Sequence, residues 1–181
     1  MLVKVGKVTN LSDARYCAGM GVDFLGFNVC PDTPSFIDTN LYQDIRGWVT
    51  GPKVVAEIYQ PVPDIDAVIK EYAPDFVEVN AETYNQLADK TSLPFILYLT
   101  RAELQSHSTI PTAEYILIDQ ESLPFVRAIT NSKVLIKIDK KESLESLPAN
   151  TTGIALSGSD EIRPGYKEYD ELADILEALD Q

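Results

Sequence analysis

The 181-residue chain has one histidine, His107, and two cysteines, Cys17 and Cys30, which are not spaced as Cys-x-x-Cys. Such a set supports neither a Cys/His zinc centre nor a disulfide framework, so no metal is expected. Basic side chains are scarce: 15 Lys and Arg stand against 28 Asp and Glu, a formal net charge of −13. A chain of that sign repels a polyphosphate backbone, which excludes nucleic acid as an expected partner. No apolar run approaches the roughly 20 residues of a membrane span, and Met1-Leu2-Val3-Lys4 leads into strand-like alternation rather than a signal peptide. No membrane partner and a cytoplasmic location are therefore expected. Chemistry, if present, would run on carboxylates, lysines and backbone amides, with no cofactor.

What is present is 45% apolar residues, enough for one domain, 1–181, with a sizeable core. Stretches rich in Val, Ile and Phe read as strands at Leu2–Gly6, Asp23–Val29, Lys53–Ile58, Phe76–Val79, Phe95–Leu99, Tyr115–Ile118, Lys133–Ile138 and Gly153–Leu156. Between them, helical periods begin near Leu11, Asn40, Pro63, Glu82, Ala102, Ser122, Lys141 and Tyr169, with Ser12 or Asp13 as the first cap. Strict alternation implies parallel strands joined by right-handed crossovers. Eight such units predict a closed (β/α)₈ TIM barrel, compact at roughly 22 residues per unit.

Three groups of residues carry a resemblance. The first is Val3-Lys4-Val5-Gly6-Lys7-Val8-Thr9-Asn10, then Asp13-Ala14, Ala18 to Phe27, and Pro31 to Ile37. The others are Ile116-Leu117-Ile118-Asp119, and Ala155 to Glu161 followed by Pro164-Gly165-Tyr166-Lys167. In order and spacing they resemble phosphoribosylanthranilate isomerase, a tryptophan-biosynthesis family. The resemblance implies a TIM barrel, and an Amadori rearrangement that converts a phosphorylated aminoaldose to the aminoketose. It also implies a cysteine base after strand one, an aspartate acid after strand six and a phosphate site after strands seven and eight.

Departures fall on that chemistry. The cysteine position is Gly6, which has no side chain to take a proton, and the following glycine is Lys7. The arginine that would complement an anionic group is Ser35, and the glycine pair of strand seven is replaced by Lys137-Ile138-Asp139-Lys140. Asp119 and the turn Ser157-Gly158-Ser159 remain, the latter as a candidate anion site or a plain strand-to-helix turn. Asp119 reads as a functional acid or as a helix-capping carboxylate ahead of Ser122. Lys7 reads as a reactive or carboxylate-gripping lysine, or as a solvated one. Lys4 shares the face of Gly6, so a Lys4–Glu78 or Lys137–Glu78 pair is expected inside the barrel, as a structural pair or a rebuilt acid/base site. Cys17 and Cys30 are expected in packing. Two functions follow. One is a pseudoenzyme that binds a small anionic or sugar-phosphate ligand or a partner. The other is an active sugar-phosphate isomerase with Asp119 and a recruited Lys or Glu as acid and base. A homo-oligomer or protein partner stays open, and the shortened loops are expected on the catalytic face.

Overall fold

Alternation along each strand of the computed structural model, which describes residues 1–106, 110–158, 161–163, 166–167 and 170–179, sorts the side chains into two apolar layers. Val3 and Val5 face outward into the layer beneath the helices. Leu2 packs against the layer inside the barrel, which places Lys4 and Gly6 inward as well. Eight parallel strands close in chain order: β1 Leu2–Gly6, β2 Phe24–Asn28, β3 Lys53–Ile58, β4 Phe76–Asn80, β5 Phe95–Tyr98, β6 Tyr115–Asp119, β7 Lys133–Lys137 and β8 Gly153–Ser157. β8 returns onto β1 with Ser157 opposite Gly6. All eight expected strands form, each end within one residue of its expected position.

The helices are α1 Leu11–Gly19, α2 Thr39–Arg46, α3 Ile65–Tyr72, α4 Ala81–Leu87, α5 Arg101–Ser106 and α6 Asp170–Leu179. Side chains of Asn10, Asp38, Asp64 and Asn80 accept the first free amides of α1 to α4. The first cap is therefore Asn10, which takes the Asp13 amide at 2.9 Å, and not Ser12 or Asp13. The crossovers after β6 and β7 depart from expectation. Gln120–Ala128 and Lys141–Ser146 are 3₁₀ segments. Pro124 removes a donor from the first of them. A 3₁₀ path rises about 2.0 Å per residue against 1.5 Å in an α-helix, so a short connection still completes its return. A two-stranded antiparallel pair, β9 Glu161–Arg163 with β10 Tyr166–Lys167, follows β8 and is not evident in the sequence. His107, Ser159, Asp160, Pro164, Gly165 and the helix start near Tyr169 lie outside the described residues.

Phe24, Phe76 and Tyr115 pack with ring centroids 5.4 to 5.8 Å apart across the N-terminal end of the barrel interior. Lys53 and Lys133 lie over the Phe76 and Tyr115 rings. Leu172, Ile175 and Leu176 of α6 are buried, as its apolar face requires. Cys17 is fully buried, and burial first, then Asp13, pushes its thiol up to about 12. Among the described residues no helix is long and apolar enough to cross a membrane.

α3 ends at Ala73, which adopts a left-handed conformation (φ 42°, ψ 54°) to return its amide to Ile69 O. A Cβ is disfavoured there by about 1–2 kcal/mol, and glycine gives back part of that gain as unfolded-state entropy. Ala73→Gly should raise the unfolding free energy by about 0.5–1 kcal/mol in urea titration. A lower stability would count against the strain assigned to this cap.

Candidate functional site

Inward positions toward the C-terminal ends of the strands form a ring at the end of the barrel where this fold presents its working side chains. They are Gly6, Gly26, Glu57, Glu78, Tyr98, Asp119, Lys137 and Ser157 in strand order, each two residues beyond an inward position of its own strand. Pairing of β3 with β4 sets Glu57 directly beside Glu78. Like charges placed so would repel. Lys4 resolves the conflict from one layer below: its Nζ lies 2.6 Å from Glu57 Oε1 and 2.8 Å from Glu78 Oε2. All three residues are only 2% exposed.

Two glycines make room for Glu57. A Cβ at Gly6 would stand 2.3 Å from Glu57 Oε1 and 2.8 Å from Lys4 Nζ, and one at Gly26 would stand 2.2 Å from the same Glu57 oxygen. The carboxylate therefore fills the space beside the position where the family places its cysteine. Its second oxygen accepts the Lys7 amide at 3.0 Å. Lys7 has φ 54°, a left-handed conformation that a lysine adopts at a cost and the family's glycine adopts freely. Lys7 is exposed and lines the cavity, and its backbone amide holds Glu57.

Tyr59, just beyond β3, donates a short hydrogen bond to Glu78 Oε1. Glu78 Oε2 is buried against the Lys4 ammonium at 2.8 Å. Tyr98 donates a short hydrogen bond to Asp119 Oδ2. Asp119 precedes the Gln120–Ala128 segment, yet its side chain caps nothing there. Its carboxylate serves Tyr98 and not the following turn.

The expected Lys4–Glu78 pair is thus formed and the alternative Lys137–Glu78 pair is not. Lys137 is half-buried, lines the cavity and enters no ion pair among the described residues. Ser157 lines the cavity too, but the Gly158 amide donates to Gly6 O at 2.7 Å. That amide is not free for an anion, and Ser159 lies outside the described residues. Ser35 sits in a loop with φ 62° and is not among the cavity-lining residues. Cys30 is buried with Sγ 3.9 and 3.8 Å from the carbonyls of Glu57 and Gln60.

Glu57, Tyr59 and Tyr98 were not among the expected site residues. Glu57 does carry a signal, as the one carboxylate in the apolar strand Val54-Val55-Ala56-Glu57-Ile58. The tyrosines carry none, since a tyrosine at a strand end is ordinary. Together these groups enclose a cavity of about 180 Å³ lined by Lys4, Gly6, Lys7, Glu57, Tyr59, Glu78, Tyr98, Leu117, Lys137, Ala155, Leu156 and Ser157.

Electrostatics in this cavity follow from burial. Burial works to lower the Lys4 pKa, but Glu57 and Glu78 together outweigh it and hold the ammonium above the ordinary lysine value. Glu78 is raised, chiefly by burial and against the pull of Lys4, with Glu57 adding to the rise. Burial and then Glu78 push Tyr59 well up, and burial and then Asp119 push Tyr98 up. Both phenols remain protonated donors at neutral pH.

A closed eight-stranded parallel barrel whose ionisable side chains ring the C-terminal ends of its strands is a TIM barrel. No family model matches the chain. A curated relative, N-(5'-phosphoribosyl)anthranilate isomerase of Maridesulfovibrio salexigens, is 25% identical in an alignment of 207 residues that covers 100% of this chain and 99% of that protein. The alignment is longer than the 181-residue chain, so it opens gaps on this side. Among solved structures, the phosphoribosyl anthranilate isomerase from Thermus thermophilus superposes with a TM-score of 0.77 at 19% identity, covering 99% of this chain and 98% of that one. The enzyme from Pyrococcus furiosus gives 0.74 at 15%, covering 98% and 97%. A phosphoribosyl anthranilate isomerase in complex with reduced 1-(o-carboxyphenylamino)-1-deoxyribulose 5-phosphate gives 0.74 at 18%, with the same coverage. The solved structures bear on the fold and the curated relative on the similarity in sequence. Over its whole length the chain is similar to phosphoribosylanthranilate isomerase, and it shares the fold of the solved isomerases.

A carboxyl whose folded pKa is raised stabilises the fold most below its unfolded value, and that contribution declines as pH rises through the folded value. For Glu78 the decline begins near the ordinary value of 4.5. Urea unfolding from pH 4 upward should therefore show stability falling more steeply in the wild type than in Glu78→Gln. Parallel profiles would show that Glu78 carries no such shift. At position 6, Gly6→Ala should force Glu57 off Lys4 and lose a charged hydrogen bond, about 1.5–3 kcal/mol by the same titration. An unchanged stability would mean that Glu57 moves aside freely.

Proposed function

We propose that this chain is a family member without the parental isomerisation, whose barrel mouth serves as a binding site for a small ligand. One observation carries the reading: the Glu57 carboxylate, clamped by Lys4 and the Lys7 amide, lies in the space over Gly6 where the parental base would reach the substrate. Three further features support it. Gly6 offers no proton acceptor and Ser35 offers no guanidinium. Asp139 stands in the strand-seven turn in place of a glycine pair. The cavity of about 180 Å³ is below the roughly 300 Å³ at which ligand pockets ordinarily begin. The ligand bound in one solved relative carries a carboxyphenyl ring, a five-carbon chain and a phosphate. That bulk does not suit this cavity.

A second reading, an active isomerase, draws on a separate observation. Asp119 faces Tyr98 instead of capping its turn, and Glu57 is a carboxylate held in place by a buried cation. The pair would then act as acid and base. Incubation of the purified chain with phosphoribosylanthranilate, followed by mass spectrometry, separates the two. No product above the buffer rate is expected, and the protein should not rescue a tryptophan auxotroph lacking the isomerase. Turnover that disappears in both Asp119→Asn and Glu57→Gln would establish the second reading.

A further inference from the structure

Three lysines line the cavity at the barrel mouth, and their surroundings differ. Lys4 lies between Glu57 and Glu78, which hold it as an ammonium. Lys7 is exposed and meets Glu57 through its backbone amide. Lys137 is half-buried, and among the described residues its side chain enters neither an ion pair nor a hydrogen bond. Leu135, two residues earlier in β7, is fully buried in the inner apolar layer, so alternation turns Lys137 inward as well. Leu117, Ala155 and Leu156 give the cavity an apolar wall. An amine on such a wall, not held by an ion pair, is placed as a nucleophile toward carbonyl carbon.

Its neighbour in the sheet is Asp119 of β6. Lys137 and Asp119 offset one another in charge, so this side of the mouth has no positive excess with which to hold an anion. Capture of a carbonyl leaves that balance unchanged. An ammonium and a carbonyl give an iminium and water, and the single positive charge stays on nitrogen beside the carboxylate, which steadies it before and after the step. Asp119 is also suited to move protons. It accepts the Tyr98 hydroxyl and caps no amide of the turn that follows it. The space of about 180 Å³ then limits the size of the carbonyl compound.

We propose that Lys137 captures a short aldehyde or ketone, of about three or four carbons, as an imine. The ammonium passes a proton to Asp119, and the freed Nζ lone pair forms the C–N bond as the carbonyl π pair moves to oxygen. Asp119 returns that proton to the oxygen and relays a second one from nitrogen. The oxygen leaves as water, the nitrogen lone pair closes the C=N bond, and nothing is oxidised or reduced. The assignment rests on the small-ligand reading above and names both the class of ligand and the bond it forms.

Incubation of the full chain with propanal or glyceraldehyde in the presence of cyanoborohydride converts an imine to a stable secondary amine, which peptide mass spectrometry locates. With one or both aldehydes, Lys137 should be alkylated at least about tenfold faster than Lys7 at the rim or the exposed Lys53 outside the cavity. The advantage should vanish in the urea-unfolded chain. Asp119→Asn, verified as folded by its thermal melt, should slow Lys137 by about tenfold or more and leave the Lys53 rate in the same sample unchanged. The assignment is overturned if Lys137 reacts no faster than Lys53 with either aldehyde, if Lys7 is the preferred lysine, or if the preference survives unfolding. It is overturned equally if folded Asp119→Asn keeps the Lys137 rate. Should that variant not fold, the ratio of Lys137 to Lys53 in the wild type decides. Turnover of phosphoribosylanthranilate would defeat the small-ligand reading whatever the labelling gives. Absent turnover with no preference for Lys137 defeats this assignment alone.

Discussion

Lys4 between Glu57 and Glu78 is the interaction on which the barrel mouth depends. Strand register fixes the two glutamates side by side, and no rotation of either strand can part them without turning its apolar face to the wrong layer. Two carboxylates buried together need a cation, and Lys4 is the inward residue one layer below that can reach both. The triad is not evidence of high stability, since an apolar replacement of similar volume is often as stable. What it provides is position. Glu57 is held over the two glycines, Glu78 is held between Lys4 and Tyr59, and Tyr59 and Lys7 take their places from the carboxylates they contact.

Against the family it resembles, the chain shows an exchange of volume. Side-chain bulk is absent at position 6 and present at position 57, so the same space is filled from β3 instead of β1. Lys7 marks the same exchange in its backbone, because it keeps a left-handed conformation suited to glycine and turns the resulting amide to Glu57. The crossovers after β6 and β7 are likewise economical. They use the longer rise of a 3₁₀ path where the sequence pattern suggested helices.

Most of the barrel was legible in the sequence because each strand carries apolar residues on both faces, and turn residues or a capping side chain bound most of them. Strand ends shifted by one residue only. The 3₁₀ segments were not legible, because Ser122-Leu123 and Leu144 carry a helical spacing that does not distinguish 3.0 from 3.6 residues per turn over so short a span. In the site, Lys4 and Glu78 stood out as charges within apolar strands, and alternation placed them on one face. Glu57 meets the same criterion as the one carboxylate of an apolar strand, but its place beside Glu78 depends on the register of β3 against β4. The partnership of Tyr98 with Asp119 depends on the register of β5 against β6, which no local pattern reports.

The aromatic cluster of Phe24, Phe76 and Tyr115 bears on traffic through the molecule. It closes the N-terminal end of the barrel interior, with Lys53 and Lys133 lying over its rings. The packed rings stand between the cavity at the C-terminal end and solvent at the N-terminal end, so the buried lysine and its two glutamates meet water from the C-terminal side of the barrel.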